Sequence, residues 1–353
     1  MAKAPKSLPS AERERLTALY AASGGLALAN ALSRLADRGH DISLFPFRLY
    51  DRLLWDTDLP RWGDLAHVAT VLPEAQRPLF TALAVALEAG PAALFDLERD
   101  PGLPAQTRWE AQCWRVALSH LVTELPSKGR AVARVIQFWD KGKRPEEIET
   151  GFETWALVAE AHKAFTDRNA ARFIARVAGE DAANTYESLW HPALKSDLLR
   201  LYALYERGGL YVDADSLPKD GIETFLTHGG GAVYASAVTD RPNAATVNGF
   251  LAAPPKSPLI AGFLEQVLAT LHAGRIRNIY WLAGPGALTR YLAAQEDPQI
   301  RIFPSGLLKR DLFQQFDAPY KASPKNWRRY EAKEGLSDDD ILPTLFHETA
   351  TPA

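Results

Sequence analysis

From Ser10 to about Pro126, apolar residues recur three and four positions apart, as in Leu16, Leu19 and Tyr20 or Leu79, Leu83 and Leu87. That spacing draws one stripe along a helix of 3.6 residues per turn, so the segment predicts a succession of helices. Ser10 stands just ahead of Glu12 and Glu14, the residue types of an N-cap followed by acids in the first turn. Gly24-Gly25, Gly39, Gly90-Pro91 and Pro101-Gly102 divide the run into short pieces.

The period changes after Pro126-Ser127-Lys128-Gly129, which reads as a linker. Ala131 to Trp139 is a β-branched and aromatic run that predicts a strand, and Glu146 to Ala164 predicts the helix after it. A second alternation pairs a helix from Leu194 with the strand Leu210-Tyr211-Val212, and a third pairs the strand Gly231 to Ala235 with the helix Leu259 to Ala273. Helices and strands in alternation predict an α/β domain. The expected division is therefore an all-helical region over 1–128 and an α/β domain over 129–353.

Composition agrees with two folded regions. At 353 residues the chain exceeds one usual domain, and 47% hydrophobic with 24% charged residues excludes a disordered or fibrous class. Forty Lys and Arg against 43 Asp and Glu leave a formal charge of -3, which supplies no overall excess to hold nucleic acid, so none is expected as a partner. The single Cys113 excludes an internal disulfide and a cysteine-rich zinc site. The beginning has no signal-peptide core and no run approaches the roughly 20 apolar residues of a membrane helix, so the expected setting is cytoplasmic with no transmembrane segment.

The densest chemistry lies between Leu194 and Pro218. Leu194, Leu198, Leu201 and Tyr205 form one stripe of a helix, and Asp197 and Arg200 lie about 60° apart around its axis, on a side flanking that stripe. They can present to one ligand. Gly208-Gly209 ends the helix where a left-handed residue is wanted, and the strand that follows runs into Asp213-Ala214-Asp215. On an extended chain a spacing of two puts both carboxylates on one side, and two anions placed together need a cation. Hard oxygen ligands suit Mg2+ or Mn2+, whose remaining coordination positions a nucleotide diphosphate would fill.

Lys195-Ser196-Asp197, Leu198-Leu199-Arg200, the tyrosine-containing helix, Gly208-Gly209 and Tyr211-Val212-Asp213-Ala214-Asp215 together resemble the DXD sugar-transferase family, which includes the yeast initiating mannosyltransferases and is related to the clostridial glucosylating toxins. Val135 to Trp139, Trp155 and Phe165-Thr166-Asp167 resemble the family's segments upstream of that motif. Asn248 to Ala253 with Pro258, and Gly284 to Thr289, resemble those downstream. The resemblance covers the chain from Arg130 onward and leaves the first helical region outside.

It implies a GT-A fold, a Rossmann-like mixed sheet with helices on both faces, and a retaining transfer of a sugar from a UDP- or GDP-sugar donor. By the same resemblance Asp213 and Asp215 hold the metal and Arg200 assists the phosphates; His347, where the family has a histidine-rich C-terminal segment that this chain lacks, is the candidate third ligand. Asp197 accepts from donor hydroxyls, Trp139 stacks on the base, and Ser196, Tyr211 and Asn248 complete the donor pocket. The acceptor, carbohydrate or protein, is left open; the Ala- and Arg-rich composition suggests a bacterium and so polysaccharide or glycoconjugate synthesis. Two rivals remain. A haloacid-dehalogenase-like phosphatase also ends a strand in Asp-x-Asp, but would carry Gly-Thr where Ser216-Leu217 stands, and an inert carbohydrate-binding or scaffold protein would have no use for both Asp residues and Arg200.

Overall fold

The computed structural model describes residues 6–60, 64–140, 143–296, 299–322, 326–336, 341–342 and 344. The chain forms two compact units, one of Met1–Thr123 with Ala237–Ala245 and Pro304–Gly306, the other of Glu124–Ser236, Thr246–Phe303 and Leu307–Ala353.

The first unit is helical, with α1 Ser10–Asp37, α2 Phe45–Trp55, α3 Arg77–Ala89, α4 Ala92–Arg99 and α5 Ala105–Ser119. Its core is aromatic: Phe47 meets Phe80 edge-on at 5.4 Å, and Tyr50 meets Trp114 at 5.2 Å. Ser10 is the first helical residue of α1, with Pro9 in the cap position and no side-chain capping bond, so the expected serine cap is not made. Gly24 interrupts α1 at φ 79°, a conformation that a side chain would strain. Asp64 caps the broken end, its carboxylate accepting from Gly25 N at 2.9 Å and Leu26 N at 3.0 Å. By length and composition α1 could cross a membrane, with a mean hydropathy of 1.2 in its best window, but half of that window is buried inside the fold, as in the core helix of a folded unit. Buried Asp51 fastens the unit's later segments, accepting from Thr239 Oγ1, from Ser305 Oγ at 3.4 Å and from Gly306 N at 3.2 Å.

The second unit is a six-stranded sheet made of β1 Val135–Phe138, β2 His162–Phe165, β3 Gly209–Val212, β4 Val233–Ala237, β5 Thr246–Ala253 and β6 Ile300–Pro304, in the order β2-β1-β3-β5-β4-β6. β1 pairs parallel with β2 and β3, and β3 pairs antiparallel with β5, so the sheet is mixed as expected. Helix α6 Glu146–Val158 shares a cluster with Trp139, while α7 Asp167–Ala178 and, after the short α8 Glu180–Glu187, α9 Pro192–Arg207 pack on the face that carries Ile136. Helices thus cover both faces, and the α/β architecture read from the sequence is present.

The differences are local. The predicted first strand shortens to Val135–Phe138, because Val132 N donates to Leu226 O at 2.7 Å outside the sheet. The predicted helix Glu146 to Ala164 stops at Val158, and His162–Phe165 turns into the edge strand. Four residues at an edge, with His162 and Lys163 half-buried and exposed, show no apolar run that would announce a strand.

Candidate functional site

Helix α9 is set by its ends. Pro192 occupies the first turn, His191 Nδ1 accepts from Ala193 N at 3.1 Å, and Gly208 closes the helix at φ 62° with its N–H on Leu204 O. The helix is buried on nearly every side, so Asp197 and Arg200, only 6% and 3% exposed, lie inside the fold and not on a flank open to solvent. Sequence spacing finds their common side and misses their burial, because the charges themselves argue for a surface.

Burial is balanced by a closed network. The Arg200 guanidinium meets Asp197 Oδ1 at 2.9 Å and Asp213 Oδ1 at 3.5 Å, donates to Asn248 O at 2.6 Å and Ser196 Oγ at 2.8 Å, and lies 4.1 Å over the Tyr211 ring. Asn248 Nδ2 donates to the same Asp197 Oδ1 at 3.0 Å and to Ala283 O at 3.2 Å. Ser196 Oγ and Tyr211 Oη are 2.6 Å apart. Five residues named from the sequence therefore converge: Ser196, Asp197, Arg200, Tyr211 and Asn248. Burial pushes the Asp197 carboxyl up to about 7, helped by the charge of Asp213 and opposed by Arg200 and the Asn248 hydrogen bond. Burial likewise pushes the Tyr211 phenol up.

Asp213 leaves the end of β3 opposite β5, its N–H on Gly249 O at 3.0 Å. A Cβ on residue 249 would overlap the Asp213 carboxylate, so any larger residue there must displace that carboxylate. Asp213-Ala214-Asp215 is a turn and not the straight strand end expected, since Ala214 and Asp215 have already left the extended conformation. The turn is fastened on several sides: Ser216 Oγ donates to Asp213 O at 2.6 Å, Trp155 Nε1 donates to Ser216 O at 3.0 Å, and Phe316 N donates to Asp215 O at 3.0 Å. Trp139, 8% exposed, packs with Ile148, Phe152, Ala214 and Ala318, which places it beside the middle residue of the motif.

The two carboxylates have different surroundings. The Asp213 side chain is 33% exposed, whereas that of Asp215 is 6% exposed and paired with Lys321 Nζ. Burial raises the Asp215 carboxyl, the neighbouring charge of Asp213 raises it further, and Lys321 opposes both. Lys321 had no signal in the sequence. It arrives because Phe313–Gln315 pairs antiparallel with Ser216–Pro218 and brings the chain beyond it to the motif. Family likeness marks Trp155 only as a shared tryptophan, and its hydrogen bond to the motif turn belongs to the fold alone. His347 lies outside the described residues. Among the described residues no group of three or more His, Cys, Asp or Glu converges as a metal cluster. The fit for a cation rests on two hard oxygen donors whose mutual repulsion a divalent ion would relieve.

Residues 145–229 match the family described as the glycosyltransferase sugar-binding region containing a DXD motif. That segment contains Trp155, Ser196, Asp197, Arg200, Tyr211, Asp213 and Asp215, so the resemblance read from the sequence holds over those residues. No curated protein sequence matches the chain. Among solved structures, the PaToxG glycosyltransferase is 16% identical at a TM-score of 0.34, over 69% of this chain and 98% of that one. The ligand-free glycosyltransferase domain from the YGT toxin is 10% identical at a TM-score of 0.24, over 92% of this chain and 70% of that one. At these scores neither likeness carries an argument.

Proposed function

With a glycosyltransferase sugar-binding region at residues 145–229 as the premise, we propose that the chain is a metal-dependent retaining glycosyltransferase that moves a sugar from a UDP- or GDP-sugar to a saccharide or other acceptor. The observation that carries this reading is the Asp213-Asp215 turn, fixed by Trp155, Ser216 and Gly249 and directly joined to the buried Asp197-Arg200-Asn248 network.

Asp213 and Asp215 would hold Mn2+ or Mg2+, with His347 as a candidate third ligand; when bound, the ion offsets charge on the departing nucleoside diphosphate. The protein's own groups do the positioning. Arg200 pairs with Asp197 and Asp213 at once and so fixes their relative placement, adding positive charge on the side where the phosphates leave. Both bonds to Asp197 fall on Oδ1, so Oδ2 is the oxygen this reading assigns to a donor sugar hydroxyl. Asn248 holds Asp197 in that orientation, and Ser196 with Tyr211 closes the pocket wall. Trp139, at the end of β1 and beside Ala214, is assigned to the base.

All of these residues belong to the second unit, so residues 1–128 are assigned to recognition of the acceptor or a partner. The acceptor reading, a saccharide of polysaccharide or glycoconjugate synthesis, is supported by composition only. The test is titration of UDP and GDP into the protein with and without Mn2+, followed by the anomeric configuration of the sugar released from the donor that binds. Metal-dependent binding of one nucleotide and a product of unchanged configuration support the proposal. An inverted product removes the retaining mechanism, and binding of neither nucleotide removes the donor class.

A further inference from the structure

We propose that a cavity along the sheet face that carries Ile136, none of whose lining residues belongs to the Asp213-Asp215 site, binds a phosphate ester independently of the donor site. The cavity holds about 160 Å3. Arg207 and Asp213 flank the two ends of β3, whose four residues span roughly 13 Å at about 3.3 Å per residue, so the two sites do not share residues.

Four cations from four elements line it: Arg134 just before β1, Lys163 in β2, Arg176 in the last turn of α7 and Arg207 in the last turn of α9. No carboxylate is in the lining. None of the four makes an ion pair among the described residues; Arg134 is half-buried, and Lys163, Arg176 and Arg207 are exposed. The Nε of Arg134 is buried without a hydrogen-bond partner, a donor that ordinarily finds one. Helix ends account for part of this, since a basic residue in the last turn complements the negative end of the helix. That explains Arg176 and Arg207, and exposed Lys163 is solvated, which leaves the buried Nε of Arg134 without a reason.

The ligand chemistry follows from the rim and the floor together. Guanidinium forks and an ammonium converging on one space match an anion with several oxygens on one centre, which a single carboxylate does not supply. Beneath the rim lie Ile136, Phe165, Phe173 and Ala203, an apolar floor for the body that the phosphate is esterified to. Lys163 Nζ already leans over the Phe165 ring at 5.1 Å and Arg176 over the Phe173 ring at 5.7 Å. The shared chemistry is a phosphate monoester, whether on a soluble molecule or on a lipid headgroup.

The test uses the full chain in the presence of a chelator, so that no metal at the DXD turn contributes. Glycerol 3-phosphate is titrated calorimetrically, and phosphatidylcholine vesicles with and without phosphatidic acid are used for co-flotation. Expected is binding of at least one probe that weakens tenfold or more in Arg134→Gln and in the double variant Arg176→Gln/Arg207→Gln, with Asp213→Asn unchanged. The double variant alters two exposed residues at helix ends, so it reports even where Arg134→Gln misfolds. Binding of the soluble ester alone identifies a soluble ligand, and flotation that depends on phosphatidic acid and on these arginines identifies a lipid headgroup. Binding of neither probe, binding that the arginine variants leave intact, or binding lost in Asp213→Asn instead overturns the proposal.

Discussion

Replacing Arg200 by methionine keeps the length of the side chain and removes the cation that three buried groups lean on. The wild-type guanidinium, 3% exposed, pairs with Asp197 at 2.9 Å and donates to Asn248 O at 2.6 Å and Ser196 Oγ at 2.8 Å. With Asp197 protonated in the variant, the cost is that of three buried groups left short of a hydrogen-bond partner, about 1 to 3 kcal/mol each. The expected loss is about 4 kcal/mol, a large share of the roughly 5 to 15 kcal/mol by which a folded protein is stable. Its pH dependence is the sharper signature. With Arg200 present the Asp197 carboxyl titrates at about 7, and without Arg200 it must titrate higher. Below pH 6 both folded proteins hold the proton, and their stability difference is constant. Between pH 7 and 8 only the variant holds it, while both unfolded chains have lost it, so the difference grows with pH by up to about 1.4 kcal/mol per pH unit. Urea unfolding at pH 6, 7 and 8 measures this, and Arg200→Met/Asp197→Asn should abolish the growth. A loss under about 1 kcal/mol, or one equal at pH 6 and 8, would refute the reasoning and return Arg200 to an exposed phosphate-binding role.

Four other outcomes are expected. Asp197→Asn alone should flatten the pH dependence of stability: a carboxyl titrating at about 7 when folded and near 3.9 when unfolded contributes fully below pH 4 and loses on the order of 4 kcal/mol as pH rises through 7. Gly249→Ala should lower turnover at least tenfold with a small change in melting temperature, since its Cβ would meet the Asp213 carboxylate; wild-type rates would show that the turn yields without consequence. Trp139→Ala should cost about 3 kcal/mol through its cluster with Ile148 and Phe152, while Trp139→Phe, which keeps an aromatic there, separates packing from stacking when nucleotide affinity is measured on the folded fraction. Lys321→Met should tighten Mn2+ binding in the absence of donor, read by electron paramagnetic resonance, because the ammonium competes for Asp215; weaker binding would mean that Lys321 shapes the site and does not compete.

The sequence makes visible what depends on local pattern. Helix α9 and strand β3 are legible in leucine spacing, in Gly208-Gly209 and in the buried run that follows, and the motif lies where they meet. Asn248 was found only through family likeness, yet the structure joins it to Asp197 across the sheet. What pattern could not show is long-range closure: Lys321 reaching Asp215, Trp155 reaching Ser216, and the edge strand His162–Phe165 that pairs with β1. Charge misled once. Asp197 and Arg200 read as flanking the buried stripe and not as buried, because ionised groups are seldom fully buried unless partnered, and their partners Asn248 and Tyr211 lie on other elements.

The central claim is that Asp213 and Asp215 organise donor chemistry around a divalent cation. The direct measurement is release of nucleoside diphosphate from UDP- and GDP-sugars, without acceptor, as Mn2+ is raised from chelated conditions, in wild type, Asp213→Asn and Asp215→Asn. The account predicts saturable Mn2+-dependent hydrolysis of one donor series in wild type and a fall on the order of 10²-fold or more in each variant, both remaining folded. Equal hydrolysis under chelation, or in either folded variant, would contradict it.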